Sequence, residues 1–293
     1  METKAIEPPA QAATKRSTSP LRVLVLVALI VAVLFGAGVI RLPERGAAYP
    51  RLGHDHDELM VSTTGKTERT VTVMFAGNSL TFVNDLPAML VNLASSDPGN
   101  TVRLQVKGET FPNATLDYVR TNTQALAWAQ AHRPDYVVLQ EHSYWFDSGY
   151  YAASWTAQQW KHDLRPIHAK PLLFEVWADG EGSDLYTNKD YADYAASDPA
   201  AETRKAAEST KRVARELGLE VIEVGEAFQA ARETQGAPDV LGPDHHHPSV
   251  AGTYLAALVF YRHLTGRSGA EATYLPRGLS REDAAALVRT SGG

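Results

Sequence analysis

Two short runs in this 293-residue sequence hold residue types that could do covalent chemistry. The first is Gly77-Asn78-Ser79-Leu80-Thr81, directly after the apolar stretch 71–76. A serine just beyond a strand, on the turn into a helix, exposes its hydroxyl and points its own N–H into the same space, as an acyl-transfer nucleophile requires. Gly77 would permit the sharp turn. The second run is Asp244-His245-His246-His247-Pro248-Ser249. A serine hydroxyl is a poor nucleophile near pH 7 and needs a base, and imidazole titrates in that range. The imidazole in turn needs a partner that fixes its tautomer and balances its charge. Asp244 stands three residues before His247 and can fold back onto that ring. Each run also has a plainer reading, as a simple turn and as a solvated histidine loop.

The elements around these runs must bring them together. Stretches 70–76, 102–106, 136–139, 171–176 and 220–224 are predicted as strands, and 86–93, 116–131, 201–217 and 249–265 as helices. Ser249 is a plausible N-cap for the last of these. Strands alternating with helices imply an α/β fold, a three-layer α/β/α sandwich around a mostly parallel, five-stranded sheet. In such sheets, functional groups sit beyond the carboxyl ends of the strands. Ser79 lies at such an end.

Taken together, the two runs resemble the SGNH/GDSL-type serine hydrolases. Gly77-Asn78-Ser79-Leu80-Thr81 is similar to that family's first block, with Asn where Asp is commoner. Asp244-x-x-His247-Pro248-Ser249 is similar to its last. Gly252-Thr253-Tyr254-Leu255-Ala256-Ala257 is similar to a bacterial branch, and the likeness spans roughly residues 70–266. The resemblance implies Ser79 as nucleophile, His247 as general base and then acid, and Asp244 as its orienting partner. It also implies an oxyanion hole built from the Ser79 N–H, a glycine N–H after the second strand and an asparagine after the third. Gly108 in Val106-Lys107-Gly108-Glu109 matches the glycine. The third block departs from the pattern. The strand ends Val137-Val138-Leu139-Gln140-Glu141-His142-Ser143, and Gln140, with the same amide on a longer stem, is the candidate third donor.

Composition narrows the remaining classes. The chain is 44% hydrophobic and 21% charged, ordinary for a globular protein. It has no cysteine, which excludes disulfide frameworks, thiolate metal sites and a thiol nucleophile. With 28 basic and 34 acidic residues it lacks the footprint of a nucleic-acid binder. His54-Asp55-His56-Asp57 and the histidine triplet contain metal-ligand types, but adjacent loop histidines do not naturally converge on one ion. No cofactor or metal is expected. No G-x-S-x-G is present, which argues against an ordinary α/β-hydrolase. Tyr144, Trp145, Phe146, Tyr150, Tyr151, Trp155 and Trp160 form an aromatic-rich stretch, read as core or as a wall beside the site.

The amino terminus reads as a membrane element. Residues 1–22 carry Lys4, Lys15, Arg16 and Arg22 and form a cytoplasmic tail, and 23–40 contain no charge. Those residues as a helix reach roughly 27 Å, near the hydrocarbon thickness. A retained single-pass anchor is expected, with a cleaved signal peptide as the alternative. Residues 41–69 read as a linker and 70–293 as one domain. The function expected is a membrane-anchored, extracytoplasmic serine esterase acting on O-acyl esters of glycans or lipids. A catalytically silent glycan- or acyl-binding module, an O-acyltransferase and a scaffold are the alternatives.

Overall fold

The computed structural model describes residues 59–142, 150–188 and 196–292. The span expected over 23–40, the His54–Asp57 cluster and Tyr144, Trp145 and Phe146 lie outside these residues. Among the described residues no helix is long and apolar enough to cross a membrane.

Strands β1 (Met60–Val61), β2 (Arg69–Gly77), β3 (Val102–Thr110), β4 (Tyr136–Leu139), β5 (Lys170–Phe174) and β6 (Glu220–Ile222) form one sheet in the order β1-β3-β2-β4-β5-β6. All neighbours are parallel except β1, which runs antiparallel to β3. The sheet thus has six strands where the sequence pointed to five. The extra strand is two residues long, too short to show periodicity, and lies in the stretch read as linker. It is held by pairing with Val106 and Gln105 and by Ser62, whose N–H donates to the Leu104 carbonyl at 2.8 Å.

Helices α1 (Ser79–Phe82), α2 (Leu86–Ser96), α3 (Leu116–Asn122), α4 (Ala125–His132), α5 (Tyr150–Leu164), α6 (Asp184–Thr187), α7 (Pro199–Leu217), α8 (Val224–Glu233), α9 (Val250–Thr265) and α10 (Arg281–Thr290) complete the described chain. The expected helix over 116–131 is two helices. Thr123 ends the first, and its hydroxyl accepts the Ala125 N–H at 3.1 Å, starting the second.

β2 shows why the layers form. Val71, Val73 and Phe75 face a core shared with α2, α8, α9 and α10, while Met74 and Ala76 face one shared with α3, α4, α5 and α7. Both faces are covered, so the strand reads as a continuous apolar run. Phe260 of α9 packs edge-on against Phe75 and Phe174 at 5.0 and 5.1 Å. α9 is buried on nearly every side, which explains its weak amphipathicity.

One buried acid makes stability depend on pH. Glu175 follows β5, is fully buried, and its Oε1 accepts the Glu226 N–H in the first turn of α8 at 3.0 Å. Burial, reinforced by the neighbouring Glu226 carboxylate, pushes its carboxyl up to about 8. The folded state therefore favours the protonated acid. That stability is fully present below the ordinary glutamate range and is lost as pH rises through about 8. Glu175→Gln is expected to flatten this decline, read by urea melts at a series of pH values. An unchanged slope would rule Glu175 out as its source.

Candidate active site

The carboxyl ends of β2, β3, β4 and β5 feed the loops that meet at Ser79. Ser79 is the first residue of α1. Asn78 caps that turn, its Oδ1 accepting the Leu80 N–H at 3.1 Å. The Ser79 N–H, being the first of the turn, has no acceptor within the helix.

Two contacts in series join Asp244 and His247 of the histidine loop to Ser79. The His247 Nδ1–H donates to Asp244 Oδ2 at 2.6 Å. That leaves Nε2 as the acceptor for the Ser79 hydroxyl, 2.9 Å away. Asp244 Oδ1 meanwhile accepts the N–H groups of His246 and His247 at 3.1 and 2.9 Å, so one carboxylate both shapes the loop and orients the ring. Burial alone would raise the Asp244 carboxyl, but the bonds from the His247 ring and the two N–H groups outweigh it and hold it below the usual range. Asp244 and His247 are 40% and 20% exposed, so solvent reaches the site. The arrangement can deprotonate the Ser79 hydroxyl as it attacks an electrophile and return the proton to a leaving group.

The loop is fixed at both ends. Gly242 N–H donates to the His247 carbonyl at 2.7 Å, and Leu241 bridges Pro248. Asn84 Nδ2 donates to the Pro248 carbonyl at 3.0 Å, and Ser249 caps α9 as expected. The β5–α6 loop is stitched on as well. Trp177 Nε1 donates to the His246 carbonyl at 3.0 Å, and Gly180 N–H to that of His245 at 2.7 Å. His245 takes a left-handed backbone (φ 58°) and lays its ring on Gly182, where a Cβ would stand 2.6 Å from its Nε2.

Gln140 does not occupy the place expected of it. It is 0% exposed. Its Nε2 donates to Asn78 Oδ1 at 3.0 Å and to the Glu141 carbonyl at 2.7 Å, using both amide protons. Its Oε1 accepts from Asn78 N–H at 2.8 Å and from the Thr81 hydroxyl at 3.0 Å. No proton remains for an oxyanion, so its reading as third donor is corrected. The longer stem instead lets the amide reach under the nucleophile turn and lock it. Gly77 is required for a related reason. Its backbone is not left-handed, but a Cβ there would stand 2.4 Å from Gln140 Oε1.

Gly108 lies opposite Phe75 within β3, and the strand continues to Thr110, opposite Gly77. It therefore sits two residues short of the level at which β2 ends, inside the strand rather than after it, and its reading as an oxyanion donor is corrected. Beyond β4, Glu141 is buried, and its carboxylate accepts the N–H groups of Leu116 and His142 at 3.1 and 2.9 Å. Burial pushes its carboxyl up to about 7 despite those bonds. His142 is in contact with Asn113 Oδ1 at 3.0 Å.

Sequence reasoning did not single out Asp179, which pairs with His246, or Trp177 and Asn84, which hold the loop. No local spacing signals them, since each contact is long-range. Among the described residues no group of three or more His, Asp or Glu is placed to hold a metal ion.

Solved structures share this architecture. A protein assigned to the SGNH hydrolases, from Slackia heliotrinireducens, is 24% identical, with 66% of this chain and 98% of that one covered and a TM-score of 0.54. A DUF4886-family protein from Bacteroides uniformis is 18% identical, covering 76% of this chain and 93% of its own, with a TM-score of 0.61. An acetylxylan esterase from Geobacillus stearothermophilus, solved as a catalytic mutant, is 15% identical, covering 69% and 96%, with a TM-score of 0.50. No protein-family model and no curated protein matches the sequence. The three-layer sandwich with its six-stranded, mostly parallel sheet is the fold of the SGNH hydrolases.

Proposed function

We propose that this chain is a serine esterase that cleaves O-acyl esters through Ser79, His247 and Asp244. The observation that carries the reading is the unbroken Asp244–His247–Ser79 series at 2.6 and 2.9 Å. Ser79 Oγ attacks the ester carbonyl carbon while its proton passes to His247 Nε2. The tetrahedral oxyanion is received by the Ser79 N–H. Collapse breaks the ester C–O bond, and His247 returns the proton to the leaving alcohol. Water then attacks the acyl-enzyme, again deprotonated by His247, releasing the acid and restoring Ser79.

The substrate side of the proposal is a short acyl group, acetate in the simplest case, on a glycan or lipid hydroxyl. It is supported by the uncharged run 23–40, which would tether the domain outside the cytoplasm, and by the acetylxylan esterase among the proteins that share the fold. The chemistry as written uses only side chains and backbone of this chain.

One experiment addresses both parts. Fractionated cells producing the full chain are treated with a fluorophosphonate probe, and the adduct is mapped by peptide mass. The expected result is an adduct on Ser79, recovered with the membranes. An adduct in the soluble fraction would remove the tether and leave the esterase. No adduct on a folded chain would overturn the esterase reading in favour of a silent binding module.

A further inference from the structure

The histidine triplet carries a second Asp–His pair beside the first. His246 Nδ1–H donates to Asp179 Oδ1 at 2.7 Å. Asp179 is 2% exposed, and its other oxygen accepts the Ser183 hydroxyl at 2.7 Å. The pair joins residues 67 positions apart, from the β5–α6 loop and the loop before α9. The His246 ring then meets the His247 ring edge to face, with centroids 4.8 Å apart and planes at 82°. An aspartate this buried needs a charged or strongly donating partner, and an imidazole is the partner supplied.

We propose that Asp179 and His246 are positioning residues for His247. Their paired ring braces His247 in its Ser79-facing orientation and sets a positive charge beside it that resists a second proton on His247. This rests on the esterase reading for its consequence, since it keeps the base able to accept the Ser79 proton in more acidic surroundings, but the coupling between the rings stands on the geometry alone.

The charged surroundings support the sign. Among the described residues, the groups around His246 are Asp179 from the β5–α6 loop, Asp244 and His247 from its own loop, and His142 from the end of β4. Arg232 of α8 and the Tyr186 hydroxyl reach the Asp179 carbonyl at 3.4 and 3.3 Å. Burial works against a charged His246, but the bond to Asp179 and the two carboxylates outweigh it and move its titration upward. The His142 ring is held in the neutral direction, first by burial and then by the charge on His246. His247 is bonded to the Asp244 carboxylate at 2.6 Å, and the His246 ring, its centroid 4.8 Å away, sets a cation against that anion.

The test reads the ring directly, without turnover. Long-range proton–nitrogen NMR of the histidine side chains in the full chain gives the titration midpoint of His247. In His246→Asn, which keeps a donor for Asp179 but removes the cation, that midpoint is expected to rise by about half a pH unit or more. In Asp179→Asn, where the anion and much of the cation are lost together, it should rise by less. A midpoint unmoved in both folded variants would overturn the proposal and leave the pair a purely mechanical tie. Should the midpoint move while the fluorophosphonate leaves Ser79 unlabelled, the esterase reading fails and the coupling survives.

Discussion

Ser79→Ala and His247→Ala are each expected to lower kcat/KM for ester hydrolysis by about four to six powers of ten, with the double variant no worse than the poorer single one. The non-additivity follows from the geometry. In the proposed mechanism the hydroxyl is a nucleophile only while His247 Nε2 accepts its proton, so removing either partner disables the same step. Asp244→Asn acts differently. Its amide can still accept the two loop N–H groups through oxygen, but its nitrogen then faces His247 Nδ1 and favours the wrong tautomer. Initial rates on 4-nitrophenyl acetate, with circular dichroism as a control for folding, measure all four proteins. A folded Ser79→Ala protein that keeps its rate removes Ser79 from the chemistry.

Gln140→Leu has the largest expected effect on stability. The substitution strips partners from the Asn78 N–H, the Thr81 hydroxyl and the Glu141 carbonyl, all buried, and takes one donor from Asn78 Oδ1. A buried group left unsatisfied costs about 1–3 kcal/mol, and some of these recover partly by relaxation, so a loss of about 3 kcal/mol is expected. In a domain of this size that lowers Tm by about 6–12 °C. Activity falls with it, because the turn carrying Ser79 loses its clamp. The pairing of losses is the diagnostic. A free oxyanion donor would cost about 2.7–4 kcal/mol of transition-state stabilisation and leave Tm nearly unchanged. Thermal melts beside kinetics therefore distinguish the clamp from the donor.

Asn78 is intelligible in the same terms. Its side chain caps α1 through Oδ1, takes the Gln140 amide on the same oxygen, and donates through Nδ2 to the Ala114 carbonyl at 3.1 Å. An aspartate in its place has no such donor. The asparagine in the first block and the glutamine in the third are thus two halves of one hydrogen-bonded contact, and each departure makes sense only beside the other.

Much of this arrangement was legible in the sequence because it is local. The Asp244–His247 pair closes over three residues, and Ser249 caps its own helix. The run 71–76 reads as a strand buried on both faces from its composition alone, and Gly77-Asn78-Ser79 follows it directly. These features depend on backbone periodicity and on side chains that reach their neighbours without help from the fold. They were enough to define the sandwich and to name the three residues that meet.

What the sequence left open was settled by contacts across the sheet. The Ser79–His247 contact spans 168 positions, and Gln140 reaches Asn78 across 62. The second depends on β4 lying beside β2 and the first on α9 packing against β2 and β5, arrangements that strand patterns do not encode. The same order turned Gln140 from an apparent donor into a clamp, since an amide's role is fixed by which partners exhaust its protons. β1 escaped notice because two residues have no period, and pairing with β3 alone makes them a strand. His246 looked like its neighbours in a triplet, and only the approach of Asp179 from another loop separates the three rings into a packing ring, a ring paired with Asp179 and the ring that faces Ser79. Residue type and local spacing determined what chemistry the chain could do. Strand order and burial decided which groups were left with a proton, a lone pair or a charge to do it.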